Sequence, residues 1–232
     1  MLYSRQLEIT NRKTVPRCHP RDGYFSEEWL AVTNHSETEK AMSEDLVVAH
    51  CAPTLAGLKT GSLFVCPKES LPVLRESLRS LNRRFGEKGI RVLPLKELKR
   101  GILIYLYRPR LLEADLRDPL AQRLLRERAY PMTTADQAVA ELAHRLRSRV
   151  DFPHEIGIFL GYPPADVEGF LTYGGSRARA SGTWQAYGDV EAAERKFRQY
   201  RRCTGAYKRA YARHGSLDRL VVGNPKRNED AV

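Results

Sequence analysis

Gly101-Ile102-Leu103-Ile104-Tyr105-Leu106-Tyr107 is the stretch on which the reading of the fold turns, because it carries no charge over seven residues. A continuous apolar run of this length is expected where both faces of a strand are covered, so it belongs in the middle of a sheet. Ile90 to Leu95 reads as a second strand, and Leu63 to Cys66 is a shorter apolar run beyond the polar turn Lys59-Thr60-Gly61-Ser62. Leu71, Leu74, Leu78, Leu81 and Phe85 recur at steps of three and four. They predict a helix over residues 69–86, with Arg75, Arg79, Arg83 and Arg84 on its wet side.

Farther out, Ser43 is placed to cap a helix that begins with Glu44 and Asp45, and Pro53 is expected to kink or end it near His50-Cys51-Ala52. Asp118-Pro119 starts a short helix through Arg128, and Thr134 and Gln137 have capping-box spacing ahead of a helix over 135–148. Glu155 to Leu160 reads as a strand ended by Gly161-Tyr162-Pro163-Pro164, followed by a short helix from Asp166 to Tyr173 and a strand from Thr183 to Tyr187. From Asp189 to about Arg213, the residues Val190, Ala193, Phe197, Tyr200, Thr204, Tyr207 and Tyr211 form a helical seam that must pack against something. Leu220 to Val222 is expected as an edge strand. The sum is a single α/β domain over residues 42–222, a mixed sheet flanked by helices.

Residues 1–41 show no sustained period and read as a flexible extension, with Met42 as an alternative start. Residues 223–232 read as a frayed tail. Across all 232 residues, 42% are hydrophobic and 29% charged, enough apolar material for a core. No apolar run is long enough to span a bilayer, and the amino terminus lacks the apolar centre of a classical export signal. Four scattered cysteines, Cys18, Cys51, Cys66 and Cys203, suit reduced thiols in a cytoplasm better than a disulfide framework. The formal charge of +11 lies wholly after residue 41, where the first six basic residues have been balanced by six acidic ones. Such a surplus favours anionic partners, a small molecule or nucleic acid, without locating a site.

His50 to Phe64 (HCAPTLAGLKTGSLF), Leu103 to Arg108 (LIYLYR), Phe152 to Phe170 (FPHEIGIFLGYPPADVEGF) and Tyr187 to Thr204 (YGDVEAAERKFRQYRRCT) carry a family likeness. Together they resemble the bacterial family catalogued as domain of unknown function 3793, over nearly everything from Met42 to Val222. The resemblance implies a cytoplasmic origin in clostridia-like anaerobes, and it implies no activity. Where the family often has a cysteine, this chain has Ser181.

Three chemistries compete for the same residues. Thiol catalysis would use Cys51 as nucleophile and His154 as base, because a thiolate needs a depressed pKa and a nearby proton acceptor. Metal, haem or iron–sulfur binding would draw on His50, Cys51, Cys66, His154, Glu155 and Cys203, although no Cys-x-x-Cys or His-Glu-x-x-His spacing occurs. An anion site would use Lys59 and Thr60, although the glycine that should precede a phosphate loop is absent. Tyr105 shares a strand face with Tyr107 and is expected to line a pocket. Glu155 either serves the His154 site or pairs with an arginine. Nucleic-acid binding by the basic stretches Lys96 to Arg110 and Arg195 to Arg213 is not favoured, because in the second Phe197, Tyr200, Tyr207 and Tyr211 fall on the seam expected to be buried. The leading expectation is a small-molecule-binding protein or thiol enzyme built from the His50–Cys51 segment, Lys59 and His154. A non-catalytic basic protein is the rival. No cofactor and no oligomeric state is specified.

Overall fold

A computed structural model describes residues 42–67, 71–131, 133–148 and 151–223. The expected extension over 1–41, with Cys18, and the tail from 224 onward lie outside the described residues. The central run behaves as its composition demands. Strand β3 (Gly101–Tyr107) sits between β1 (Gly61–Pro67) and β2 (Arg91–Leu98) and is buried along its whole length. Its side chains alternate: Ile102, Ile104 and Leu106 enter one core, Leu103, Tyr105 and Tyr107 the other. Both ladders are antiparallel, so the α/β expectation holds with an antiparallel main sheet instead of a mixed one. The two-residue turn Lys99-Arg100 enforces this for β2 and β3, while β1 reaches the far edge through a helical crossover.

On one face lie α1 (Glu44–Leu55) and α2 (Leu71–Phe85), joined by Leu217, Leu220 and Val221 from the end of the chain. The other face is covered by α3 (Pro109–Asp115), α4 (Pro119–Arg126), α5 (Ala135–Ser148), α6 (Ile156–Phe159) and α7 (Pro164–Tyr173). A two-stranded ribbon, β4 (Ala180–Ser181) with β5 (Gln185–Ala186), leads into the 25-residue helix α8 (Val190–His214). Predicted caps form: Ser43 Oγ accepts from Leu46 N–H at 3.2 Å, and Thr134 Oγ1 accepts from Gln137 N–H at 3.2 Å. The α8 seam faces inward, with Ala193, Phe197 and Tyr200 buried and Tyr207 and Tyr211 against the first core.

Four expectations are corrected. Of the kink or end expected at Pro53, the end is excluded: helix α1 runs through Pro53 to Leu55, because Cys51, Ala52, Thr54 and Leu55 are all fully buried and Arg108 holds the terminal carbonyls. Arg108 Nε donates to Thr54 O at 2.6 Å, and its Nη2 donates to Leu55 O at 2.7 Å and Val222 O at 2.6 Å. Glu155 to Leu160 is not a strand: a turn at His154 and Glu155 leads into the single-turn helix α6. A short run apolar on every side satisfies a buried helix as well as a buried strand, and here it packs against one face of the sheet, in the core with Leu103 and Tyr105. Thr183 to Tyr187 contributes only the two residues of β5. Leu220 to Val222 is irregular, tied down by Val222 N–H to Leu55 O at 3.1 Å and by Arg108.

Candidate functional site

The sheet separates the two members of the expected thiol dyad. Cys51 points into the α1–α2 core among Val47, Phe64 and Cys66, with no exposed surface. Burial pushes its thiol far up; nearby Lys59 and a hydrogen bond with Ser62 oppose this only weakly. His154 lies on the other side with α6 and α7, its ring 4.9 Å edge-on from Phe170 and 5.8 Å from Phe152. The structure therefore does not bring Cys51 and His154 together. His50 is half-buried and stacks on Phe64 at 6.2 Å. Among the described residues, no three His, Cys, Asp or Glu side chains converge as a metal-binding group.

Glu155 takes the arginine-paired alternative. Tyr130 Oη donates to it at 3.1 Å, and Arg128 and Arg145 approach at 3.8 and 3.9 Å. Arg145, itself buried, also binds Glu141 at 2.6 Å and lies 4.2 Å over the Tyr130 ring. Glu155 thus works with Tyr130 and the two arginines; it makes no hydrogen bond with His154 among the described residues and reaches the imidazole only electrostatically. Tyr105 is fully buried, its ring 4.6 Å from Tyr107 and its hydroxyl donating to Phe159 O at 2.5 Å. It ties β3 to α6 and lines no open pocket among those described.

Lys59 and Thr60 occupy the turn between α1 and β1, and both are buried. Thr60 Oγ1 donates to Asp115. Burial raises the Asp115 carboxyl; the Thr60 hydroxyl and Lys196 act against that rise. Gly161 has a φ of +73°, and a Cβ there would stand 2.6 Å from Thr60 Oγ1, so only glycine lets the α6–α7 turn seat against Thr60. Lys59 is only 9% exposed and no carboxylate pairs with it among the described residues. Desolvation lowers its ammonium from the usual 10.5 to about 8, while Cys51 acts in the opposite sense. Its Nζ lies 5.2 Å from the centroid of the Tyr162 ring.

Tyr162 leads to an aromatic cavity. A narrow slot is lined by His154, Gly157, Tyr162, Asp166, Phe170 and Trp184, with Val167 and Gln185 completing it. Its volume is about 390 Å³ counting the open mouth, and its enclosed part has room for about one water. Trp184 is stacked on Tyr162 at 5.1 Å and meets Phe197 edge-on at 4.5 Å. Asp166, on the first turn of α7, accepts from Trp184 Nε1 at 2.7 Å and from the N–H groups of Tyr187 and Gly188 at 2.8 and 2.9 Å. That carboxylate fixes the tryptophan and the loop behind it. Gly157 keeps the floor open: a Cβ there would lie 2.8 Å from Val167 and 3.1 Å from the Tyr162 ring. His154 Nδ1 is buried and has no hydrogen-bond partner, the one such side-chain atom among the described residues. Burial lowers the imidazole pKa, outweighing Glu155 and Asp151, so the ring is held toward its neutral form.

Of the expected residues, only His154 lines this slot, with Lys59 standing behind Tyr162. Tyr162, Asp166, Phe170 and Trp184 were not anticipated as a group. The available signals were the acid in the first turn after Pro163-Pro164 and one of only two tryptophans in the chain. Among the described residues no helix is long and apolar enough to cross a membrane. No curated protein and no solved structure matches the chain. The family model described as "Protein of unknown function (DUF3793)" matches residues 47–221, covering β1–β3, the slot and α8, and the chain belongs to that family.

Proposed function

We propose that the protein binds a small, flat, uncharged molecule in the His154–Tyr162–Trp184 slot, whose walls part to admit it, since the enclosed part holds about one water when empty. The observation that carries this reading is that His154, one of the residues lining the aromatic slot, has a buried Nδ1 with no hydrogen-bond partner among the described residues. A buried polar atom without a partner is costly, and a ligand atom that meets it recovers a hydrogen bond. Trp184, Tyr162 and Phe170 offer ring faces and edges for stacking, the usual division of labour between apolar walls and a few polar groups in a ligand site. Lys59 does not line the slot, so an anionic ligand has no charge to meet there. A thiol mechanism draws no support from a protonated, fully buried Cys51 on the far side of the sheet.

The test is a titration with phenol, indole and nicotinamide, following Trp184 emission and the His154 imidazole nitrogens by NMR. Trp29→Phe removes the second tryptophan signal. Saturable shifts at both residues, weakened at least ten-fold in His154→Phe, are expected. Absence of any shift with all three compounds, or equal binding by His154→Phe, would sink the reading.

A further inference from the structure

Between Arg195 and His214, α8 contains eight lysines and arginines and no acidic residue. At 100° per residue, Arg195, Arg198, Arg202, Arg209 and Arg213 fall within a stripe about 60° wide, running about 27 Å along the axis. All five are exposed, opposite the inward face of Phe197, Tyr200, Tyr207 and Tyr211. Only the amino-terminal end is neutralised, by Glu191 with Arg195 at 3.6 Å and Glu194 with Arg198 at 3.5 Å. Among the described residues, the side chains of Arg202, Arg209 and Arg213 make no ion pair and no hydrogen bond. Between Arg202 and Arg209 stand Gly205 and Ala206, and the Arg209 guanidinium lies across Gly205, its Nη1 3.4 Å from where a Cβ would stand.

We infer that this face docks on the phosphate backbone of a nucleic-acid duplex. A row of guanidinium groups matches phosphate oxygens in shape as well as charge, since each planar fork can give two parallel hydrogen bonds. A duplex presents about one charge per 1.7 Å of axis, so a run of this length faces a dense polyanion. The major groove of B-form DNA, about 12 Å wide, admits an α-helix. The outer face of α8 bears no side chain between arginines larger than Gln199 and no apolar group beyond alanine. It therefore lacks both the apolar face that inserts into a membrane and the aromatic platforms that hold single strands. The burial of Tyr200, Tyr207 and Tyr211, which removes base stacking, leaves the arginines as a reader of backbone and not of bases.

The experiment is fluorescence anisotropy of the full chain with a labelled 24-base-pair DNA duplex and its separate strand, from 50 to 300 mM salt. Arg202→Gln/Arg209→Gln/Arg213→Gln should weaken duplex binding at least ten-fold at 100 mM salt. It should also lower the slope of log affinity against log salt by about two to three. A charge-matched control, Arg75→Gln/Arg79→Gln/Arg83→Gln on α2, should stay within two-fold of the parent. Helical circular dichroism should be unchanged in both, since all six positions are exposed. Equal losses in the two triple variants would reduce the effect to net charge and overturn the inference. So would single strands binding as tightly as duplex, or poly-glutamate or anionic vesicles binding with the same dependence on α8.

Discussion

Replacing Lys59 by methionine removes a charge that the fold holds out of water while keeping most of the stem that fills the space. The ammonium is lowered from 10.5 to about 8 by desolvation. At about 1.4 kcal/mol per pH unit, the charged form costs the folded state about 3 kcal/mol. The Tyr162 ring beneath Nζ returns about 1 kcal/mol of that through its quadrupole. Lys59→Met should therefore be more stable than the parent by about 2 to 3 kcal/mol at pH 7. Below pH 8 the lysine is protonated in both folded and unfolded chains, so the whole penalty is present. Between about pH 8 and 10.5 the unfolded chain holds the proton that the folded chain has released, and the parent gains stability relative to the variant. Above 10.5 the penalty is gone. Urea unfolding of both proteins at half-unit intervals from pH 7 to 10.5 measures the difference. Subtracting one curve from the other removes the titrations of cysteine and tyrosine that the two share. A variant less stable at pH 7, or a difference that does not change with pH, would refute the buried, unpaired lysine.

Asn82 on α2 donates from Nδ2 to Val92 O at 2.7 Å and accepts Val92 N–H at Oδ1 at 2.9 Å, standing in for a neighbouring strand along the open edge of β2. Asn82→Ala should cost about 1 to 3 kcal/mol and promote concentration-dependent association, read by urea unfolding and light scattering. An unchanged midpoint with a monomeric protein would contradict this. Asp166→Ala strips the acceptor from three donors around Trp184, so a loss of about 2 to 4 kcal/mol and red-shifted, more quenchable Trp184 emission are expected in a Trp29→Phe background. Unaltered emission would mean the tryptophan is held by its ring contacts alone. With iodoacetamide at pH 8, Cys203, only half-buried, should alkylate ahead of Cys51 and Cys66, which burial shields. Peptide mapping that finds Cys51 modified first would revive a reactive thiol.

How much was legible follows from how local each signal is. The helix over Ala135–Ser148 and the long helix after Asp189 announced themselves through repeated steps of three and four, with Thr134 and Asp189 capping as their types require. β3 was legible as the centre of the sheet because its seven residues carry no charge and no alternation of polar and apolar faces. Glu155 to Leu160 was ambiguous for the same reason: a segment buried on all sides has no exposed face whose period separates helix from strand. The slot was illegible because its walls come from α6, α7 and the β4–β5 ribbon, and nothing in the spacing of His154, Asp166 and Trp184 says that they converge. Arg108 gave no warning either, since a single arginine after a strand does not reveal that it will bridge the end of α1 and the end of the chain.

By itself, then, the sequence determined the periodic helices, the buried central strand and the basic bias of residues 195–213, since hydrophobic period and charge are properties of neighbours along the chain. Only the tertiary structure decided that Cys51 and His154 lie on opposite sides of the sheet, and that Lys59 is buried with no counter-charge among the described residues. It also decided that the imidazole of His154 meets an aromatic slot. Those outcomes depend on which face of β3 each helix covers and how much water each polar atom retains. Burial of this kind is a property of packing between distant segments, so no reading of one segment alone contains it.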